Sequence, residues 1–140
     1  MLCPTAFGEL RDEDWEHNVN EDFRTDLFYE VDHVVRRVDA GRYNILALLE
    51  RPSSEEVATF RDPRFVFCGF DIVDVRPWES LLVNCGALER AFSQRELSRL
   101  GLLTDLRRAI DVRDALVREY PDNNHATDAA VWALRNSGPT

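Results

Sequence analysis

Asn84-Cys85-Gly86 is the first combination of residue types that suggests chemistry. A cysteine at a strand end, followed by a glycine that permits a sharp turn, can present its thiolate as a nucleophile. His125 would serve as its base and Asp128 as the acid orienting the imidazole. The spacing matches no thiol-enzyme signature. A strand-end cysteine in an apolar hairpin is most often core, so the pattern favours a structural Cys85 over a catalytic one.

A metal site would have to be drawn from Cys68, Cys85, His33 and His125. Zinc sites ordinarily contain a close ligand pair. The chain has neither C-x-x-C nor H-x-x-x-H, so no metal is assigned. No G-x-G-x-x-G or P-loop occurs among the six glycines, and no cofactor is indicated.

Asp71 and Asn84 fall opposite each other on one face of an expected hairpin. Buried polar groups are ordinarily hydrogen-bonded, which favours a mutually satisfied polar core pair over a pocket floor. The same register puts Val75 opposite Ser80 and Phe70 opposite Cys85. Cys68 and Cys85 then lie diagonally, beyond disulfide reach. Arg113 falls on the apolar face of its helix, where its stem snorkels or its head reaches a carboxylate such as Asp71 or Asp128.

The remaining candidate is a field of charge. Residues 9–32 hold ten acids and two arginines, a net −8, whereas all other residues hold 16 acids and 15 arginines, a net −1. Charge runs are usually solvated surface. Here, however, Trp15 and Tyr29 are interleaved with Asp12, Glu13, Asp14, Glu16, Glu21, Asp22 and Asp26. Aromatic anchors within an acidic field are the composition of a protein-binding face. Such a field also speeds association with a basic partner. The chain's net charge of −9 disfavours nucleic acid and anionic membrane as partners.

These residues need elements to position them. Residues 1–19 read as an irregular acidic lead-in. Asn20 reads as the N-cap of a long helix closed by Gly41, with Phe23, Leu27, Val31, Val34, Val35 and Val38 on one stripe. Tyr43–Leu49 reads as a strand, and Ser53 or Ser54 caps a short helix through Phe60. Phe65–Val75 is the clearest strand, with Val66, Cys68, Phe70 and Ile72 on one face and Phe65, Phe67, Asp71 and Val73 on the other. It turns at Arg76–Glu79 into a second arm, Ser80–Cys85. Ser93 and Glu96 form a capping box. Thr104 caps a helix presenting Leu106, Ala109, Ile110, Val117 and Tyr120 on one face. Ala126–Leu134 has helical alanine content but alternates like a strand, and strand is favoured because the sheet otherwise has few members. Residues 136–140 form a frayed tail.

The 140 residues fit one domain, and a chain of this size buries roughly two-thirds of its unfolded surface without help from metals or disulfides. The expected fold is α+β: a small antiparallel sheet with a central hairpin (about 65–75 and 80–85) and helices packed mainly on one face. All 17 basic residues are arginine, which points to a GC-rich, bacterial genome. Three cysteines at long spacings make no disulfide framework. With no secretory signal and no apolar span, a cytoplasmic location follows.

In size, charge and the lack of catalytic motifs the chain is similar to small acidic bacterial immunity proteins, which neutralise basic toxin domains. The resemblance implies a non-enzymatic interaction protein, and it assigns no site residue. The alternatives are a small thiol-dependent enzyme using Cys85 and His125, or a subunit of a larger assembly.

Overall fold

The computed structural model describes residues 18–20, 25–27, 32, 35–36, 45–74, 79–82 and 91–137. Its centre is an antiparallel four-stranded sheet. In chain order the strands are β3 (Leu46–Glu50), β4 (Val66–Asp74), β5 (Glu79–Ser80) and β6 (Ala130–Asn136), and in space they run β3-β6-β4-β5. A separate two-stranded ladder pairs β1 (Asn18–Asn20) with β2 (Thr25–Leu27). The helices are α1 (Ser54–Thr59), α2 (Leu106–Glu119) and α3 (Asn124–Asp128). The fold is the expected small α+β arrangement.

β6 is the strand that completes the sheet. Its first five residues are buried on both faces, as an interior strand requires. It pairs with β3 from Leu46↔Asn136 to Glu50↔Trp132, and with β4 from Val66↔Asn136 to Val73↔Ala130. The ambiguous 126–134 stretch thus divides: α3 takes its first residues and β6 the rest. Asn123 decides the switch, because its side chain accepts from the backbone N–H groups of His125 and Ala126 and starts the short helix.

One face of the sheet receives the helices. Ala109, Val112 and Leu116 of α2 and Ala126 of α3 join Phe70, Ile72, Val131 and Ala133 in one buried cluster, and Val57 of α1 packs against it. Full burial of a residue such as Leu116 is worth ~1.5–3 kcal/mol. The other face carries Val73, Leu102, Ala130, Trp132 and Leu134 in a second cluster.

A bulge on β4 changes which residues face the helices. Phe67 pairs with Arg135 and Gly69 with Leu134, so Cys68 is the extra residue. Phe67 therefore lies with Phe70, their ring centroids 5.1 Å apart. Cys68 packs with Val73 and Trp132 instead. The simple alternation expected for 65–75, with Cys68 beside Phe70 and Ile72, is corrected accordingly. The isolated Gly69 within a strand pattern was the available signal. On the helix side, the Arg135 guanidinium stacks over the Phe60 and Phe67 rings and donates to the Val57 carbonyl (2.8 Å).

The hairpin register also differs. β5 pairs Val73↔Ser80 and Asp74↔Glu79, two residues from the expected Val75 opposite Ser80. Phe70 exchanges backbone hydrogen bonds with Leu103 (2.7 and 3.0 Å). Asn84 and Cys85 lie outside the described residues.

At the N-terminal side, the expected helix from Asn20 is corrected at its start, because Thr25–Leu27 is a strand paired with Asn18–Asn20. Asp22, Asp26 and Glu30 would stack as like charges four residues apart on a helix, and Thr25 is β-branched. Further on, Asp32 and Val35 are helical and the Arg36 N–H donates to the Asp32 carbonyl (3.3 Å). The rest of that segment lies outside the described residues.

The caps follow local sequence closely. Ser53 with Glu56, and Ser93 with Glu96, form complete capping boxes, the second on a short 3-10 turn. Glu96 also accepts from Arg108 Nε (2.5 Å), and this arginine with the Ser93 backbone lowers its carboxyl to about 2. α2 starts one residue later than expected: its N-cap is Asp105, whose carboxylate accepts from the Arg108 N–H (2.7 Å). Its buried line is Ala109–Val112–Leu116, with Ile110 turned outward.

Gly69 has φ +143°, and a Cβ there would sit 2.7 Å from the Leu103 carbonyl oxygen and 2.8 Å from Leu102 Cβ. Backbone strain and overpacking each cost ~1–3 kcal/mol. Gly69→Ala is expected to lower unfolding free energy by at least ~2 kcal/mol in urea denaturation. An unchanged midpoint would show that the bulge relaxes freely.

Candidate functional site

β4 carries two buried aspartates, Asp71 and Asp74. Side chains alternate along a strand, so residues three apart lie on opposite faces. Asp71 lies on the face of Val73, opposite Trp132 in the ladder, and Asp74 on the helix face at the strand's last position. Each has found a different answer to the cost of burial.

Asp71 is fully buried. Its Oδ1 accepts from Ser80 Oγ (2.6 Å) and from the Ile72 N–H (2.8 Å). Ser80 Oγ in turn accepts from the Leu82 N–H (3.3 Å). Among the described residues Asp71 Oδ2 has no hydrogen-bond partner. Ser80 is a polar partner of Asp71 that the sequence did not suggest, and Asn84, the expected partner, lies outside the described residues. The two-residue change of register brings Ser80 beside Asp71. Burial pushes the Asp71 carboxyl up to about 6 against the lowering effect of its two donors.

Asp74 is also buried, but its Oδ2 lies 2.7 Å from His125 Nδ1. The imidazole is 53% exposed while the carboxylate side chain is 2% exposed. α3 presents the ring. Asn123 Oδ1 accepts from the backbone N–H of His125 itself (2.9 Å). Ala126 within the helix and its C-cap Ala129 are buried. Arg113 Nε donates to the Ala129 carbonyl (3.1 Å) and its Nη1 to Asp114 (3.1 Å). A carboxylate only accepts, so His125 Nδ1 is the donor wherever Asp74 is ionised.

The other expected residues are placed as follows. His125 is held by Asp74, and Asp128 lies exposed on α3. Cys68 has a free thiol whose Sγ donates to the Val66 carbonyl (3.4 Å). Cys85 and His33 lie outside the described residues, and among the described residues no group of three His, Cys, Asp or Glu is placed to hold a metal ion. Of the acidic field, Asp12, Glu13, Asp14, Trp15, Glu16, Glu21, Asp22 and Tyr29 lie outside the described residues, and Asp26 pairs by its backbone with Val19. Asp32, at the end of that field, meets Arg64 Nη1 at 2.7 Å. Sequence reasoning missed Asp74 and Ser80. Their partners are fixed by register and helix docking, and no local motif marks them.

Among the described residues no helix is long and apolar enough to cross a membrane. The chain matches no protein-family model, no curated protein and no solved structure.

Asp71 has a thermodynamic consequence. An unfolded aspartate titrates near ~3.9. The folded value lies above it, so the native state favours the protonated form. The resulting stability is complete below the unfolded value and is lost as pH rises through about 6. The gap corresponds to ~3 kcal/mol. Measured against Asp71→Asn, the wild-type protein is expected to lose about that much between about pH 4 and about pH 7. Parallel pH profiles for the two proteins would show that Asp71 titrates alike folded and unfolded.

Proposed function

We propose that this is a non-enzymatic interaction protein that binds a basic protein partner through the acidic segment at residues 9–32. In its most concrete form it is an inhibitor or immunity-type protein of a bacterial cytoplasm. The observation that carries the reading is the mismatch between a self-neutralised scaffold and an unbalanced segment.

The scaffold acids and arginines are arranged beside one another. Arg51 lies by Glu50 (3.6 Å), Arg64 by Asp62 (2.6 Å), Arg107 by Asp111 (3.3 Å), Arg108 by Glu96 (2.5 Å) and Arg113 by Asp114 (3.1 Å). Exposed pairs of this kind contribute only ~0–1 kcal/mol each to stability. Their electrostatic effect on an approaching molecule is larger, because a paired acid and base cancel within a Debye length of ~8–10 Å. A partner therefore meets a near-neutral body and one field of −8. Arg64 bridges Asp62 and Asp32, which ties the end of that field to the start of β4. Trp15 and Tyr29 supply apolar anchors within the acids.

The test is an exchange of Asp12, Glu13, Asp14 and Glu16 for Gln, set against an equal loss of charge on the scaffold at Glu55, Glu119, Asp122 and Asp128. Affinity capture from lysate of the source organism is expected to recover basic proteins with the wild-type and scaffold-changed chains. The segment-changed chain should bind them at least ~10-fold more weakly, and the binding should weaken with salt. Equal recovery by all three chains would reject the acidic-segment reading.

A further inference from the structure

We propose that β3 is a self-association edge, along which two copies of the chain pair antiparallel with Leu48 opposite Leu48. This contact is independent of the acidic segment and of any basic partner.

β3 stands at the end of the strand order, and β6 is its one ladder partner among the described residues. In an antiparallel ladder the backbone groups of alternate residues point to the same neighbour. The Arg51 N–H donates to the Val131 carbonyl (2.8 Å), and the Ile45 carbonyl accepts from the Ser137 N–H (3.0 Å). Ala47 and Leu49 share that parity and direct their backbone groups at β6. The N–H and C=O groups of Leu46, Leu48 and Glu50 therefore point away from it. Among the described residues no backbone partner meets these outward groups.

The edge is open to solvent: Leu46–Leu49 are half-buried and Glu50 is exposed. A row of unpaired backbone groups is a template for another strand, and edges that avoid pairing carry proline, a bulge or inward-pointing charge. β3 has none of these. It is Leu-Ala-Leu-Leu-Glu, in unbroken register with β6, and its one charge stands at the last position.

Symmetry about Leu48 points to a second copy as the occupant. A two-fold rotation there sets Leu48 opposite Leu48 and Leu46 opposite Glu50, so every outward group meets one of the second copy. The same patch serves both copies, as a two-fold contact requires. The side chains match as well. Leu46 and Leu48, packed against the Trp132 and Leu134 cluster, continue that layer across the seam. On the helix face Leu49 meets Ala47, large against small. The two Glu50 carboxylates stand four residues apart along the seam, about 13 Å, which exceeds a Debye length. Each also has Arg51 beside it at 3.6 Å. Because each copy carries −9, screening favours the dimer, whereas it weakens binding of a basic partner.

Sedimentation and light scattering of the full chain, from micromolar to millimolar, are expected to show a reversible monomer–dimer equilibrium that strengthens with salt. Amide exchange should slow with protein concentration at Leu46, Leu48 and Glu50, and stay constant at Ala47 and Leu49. Glu50→Pro deletes an outward N–H at an exposed position, which an edge strand tolerates. It should weaken the dimer at least ~10-fold with the far-UV circular dichroism unchanged. Glu50→Gln keeps the N–H and should dimerise like the wild type. The change of Asp12, Glu13, Asp14 and Glu16 to Gln leaves β3 intact and should not weaken the dimer, so the two proposals fail separately. A monomer at every concentration, protection of Leu46, Leu48 and Glu50 that ignores concentration, or an undiminished Glu50→Pro dimer would each overturn the proposal. If Glu50→Pro does not fold, the exchange pattern of the wild-type chain decides it.

Discussion

The close approach of the Leu103 backbone to β4 at Gly69 and Phe70 is the constraint on which the other features depend. Leu103 and Phe70 exchange two backbone hydrogen bonds, and Leu102 and Leu103 lie where any Cβ on residue 69 would go. Only glycine accepts both that proximity and a φ of +143°. The bulge that results inserts Cys68 as an unpaired step. Phe67 is thereby turned to the helices, where it stacks with Phe70 and under Arg135. The same contact fills the edge of β4 beyond Ile72, so β5 is limited to Glu79–Ser80 in its ladder with β4.

The two buried aspartates follow from that arrangement. The short β5 brings Ser80 alongside Asp71, and α3, packed on the helix face, brings His125 to Asp74. The two carboxyls differ in what remains unsatisfied. Asp71 has one oxygen without a hydrogen bond among the described residues and resists ionisation, whereas Asp74 is paired with a side chain that reaches solvent. A buried carboxyl with an idle oxygen belongs to the stability of the fold. A buried carboxyl bonded to a half-exposed imidazole ties the end of β4 to the short helix that carries the ring.

Electrostatics divides the chain in another way. Five scaffold arginines lie against scaffold acids, and Glu96 shows how fully one acid can be used, capping a turn and holding Arg108 at once. The net charge therefore belongs to a single segment. A long-range field of this kind tolerates loose geometry.

The sequence by itself determined what neighbouring residues decide among themselves. Both capping boxes were legible because a serine and a glutamate three residues apart complete one hydrogen-bonded unit. The α+β class, the strand at 66–74 and the charge asymmetry were legible from periodicity and counting. The helix expected from Asn20 is corrected at its start, where an apolar stripe was weighed without its stacked acids. Only the tertiary structure decided that β6 lies between β3 and β4, that the β4 faces exchange at Cys68, and that Ser80 and His125 meet Asp71 and Asp74. Register and docking are set by hydrogen bonds and packing between distant segments. A shift of two residues changes every partner without altering any local propensity.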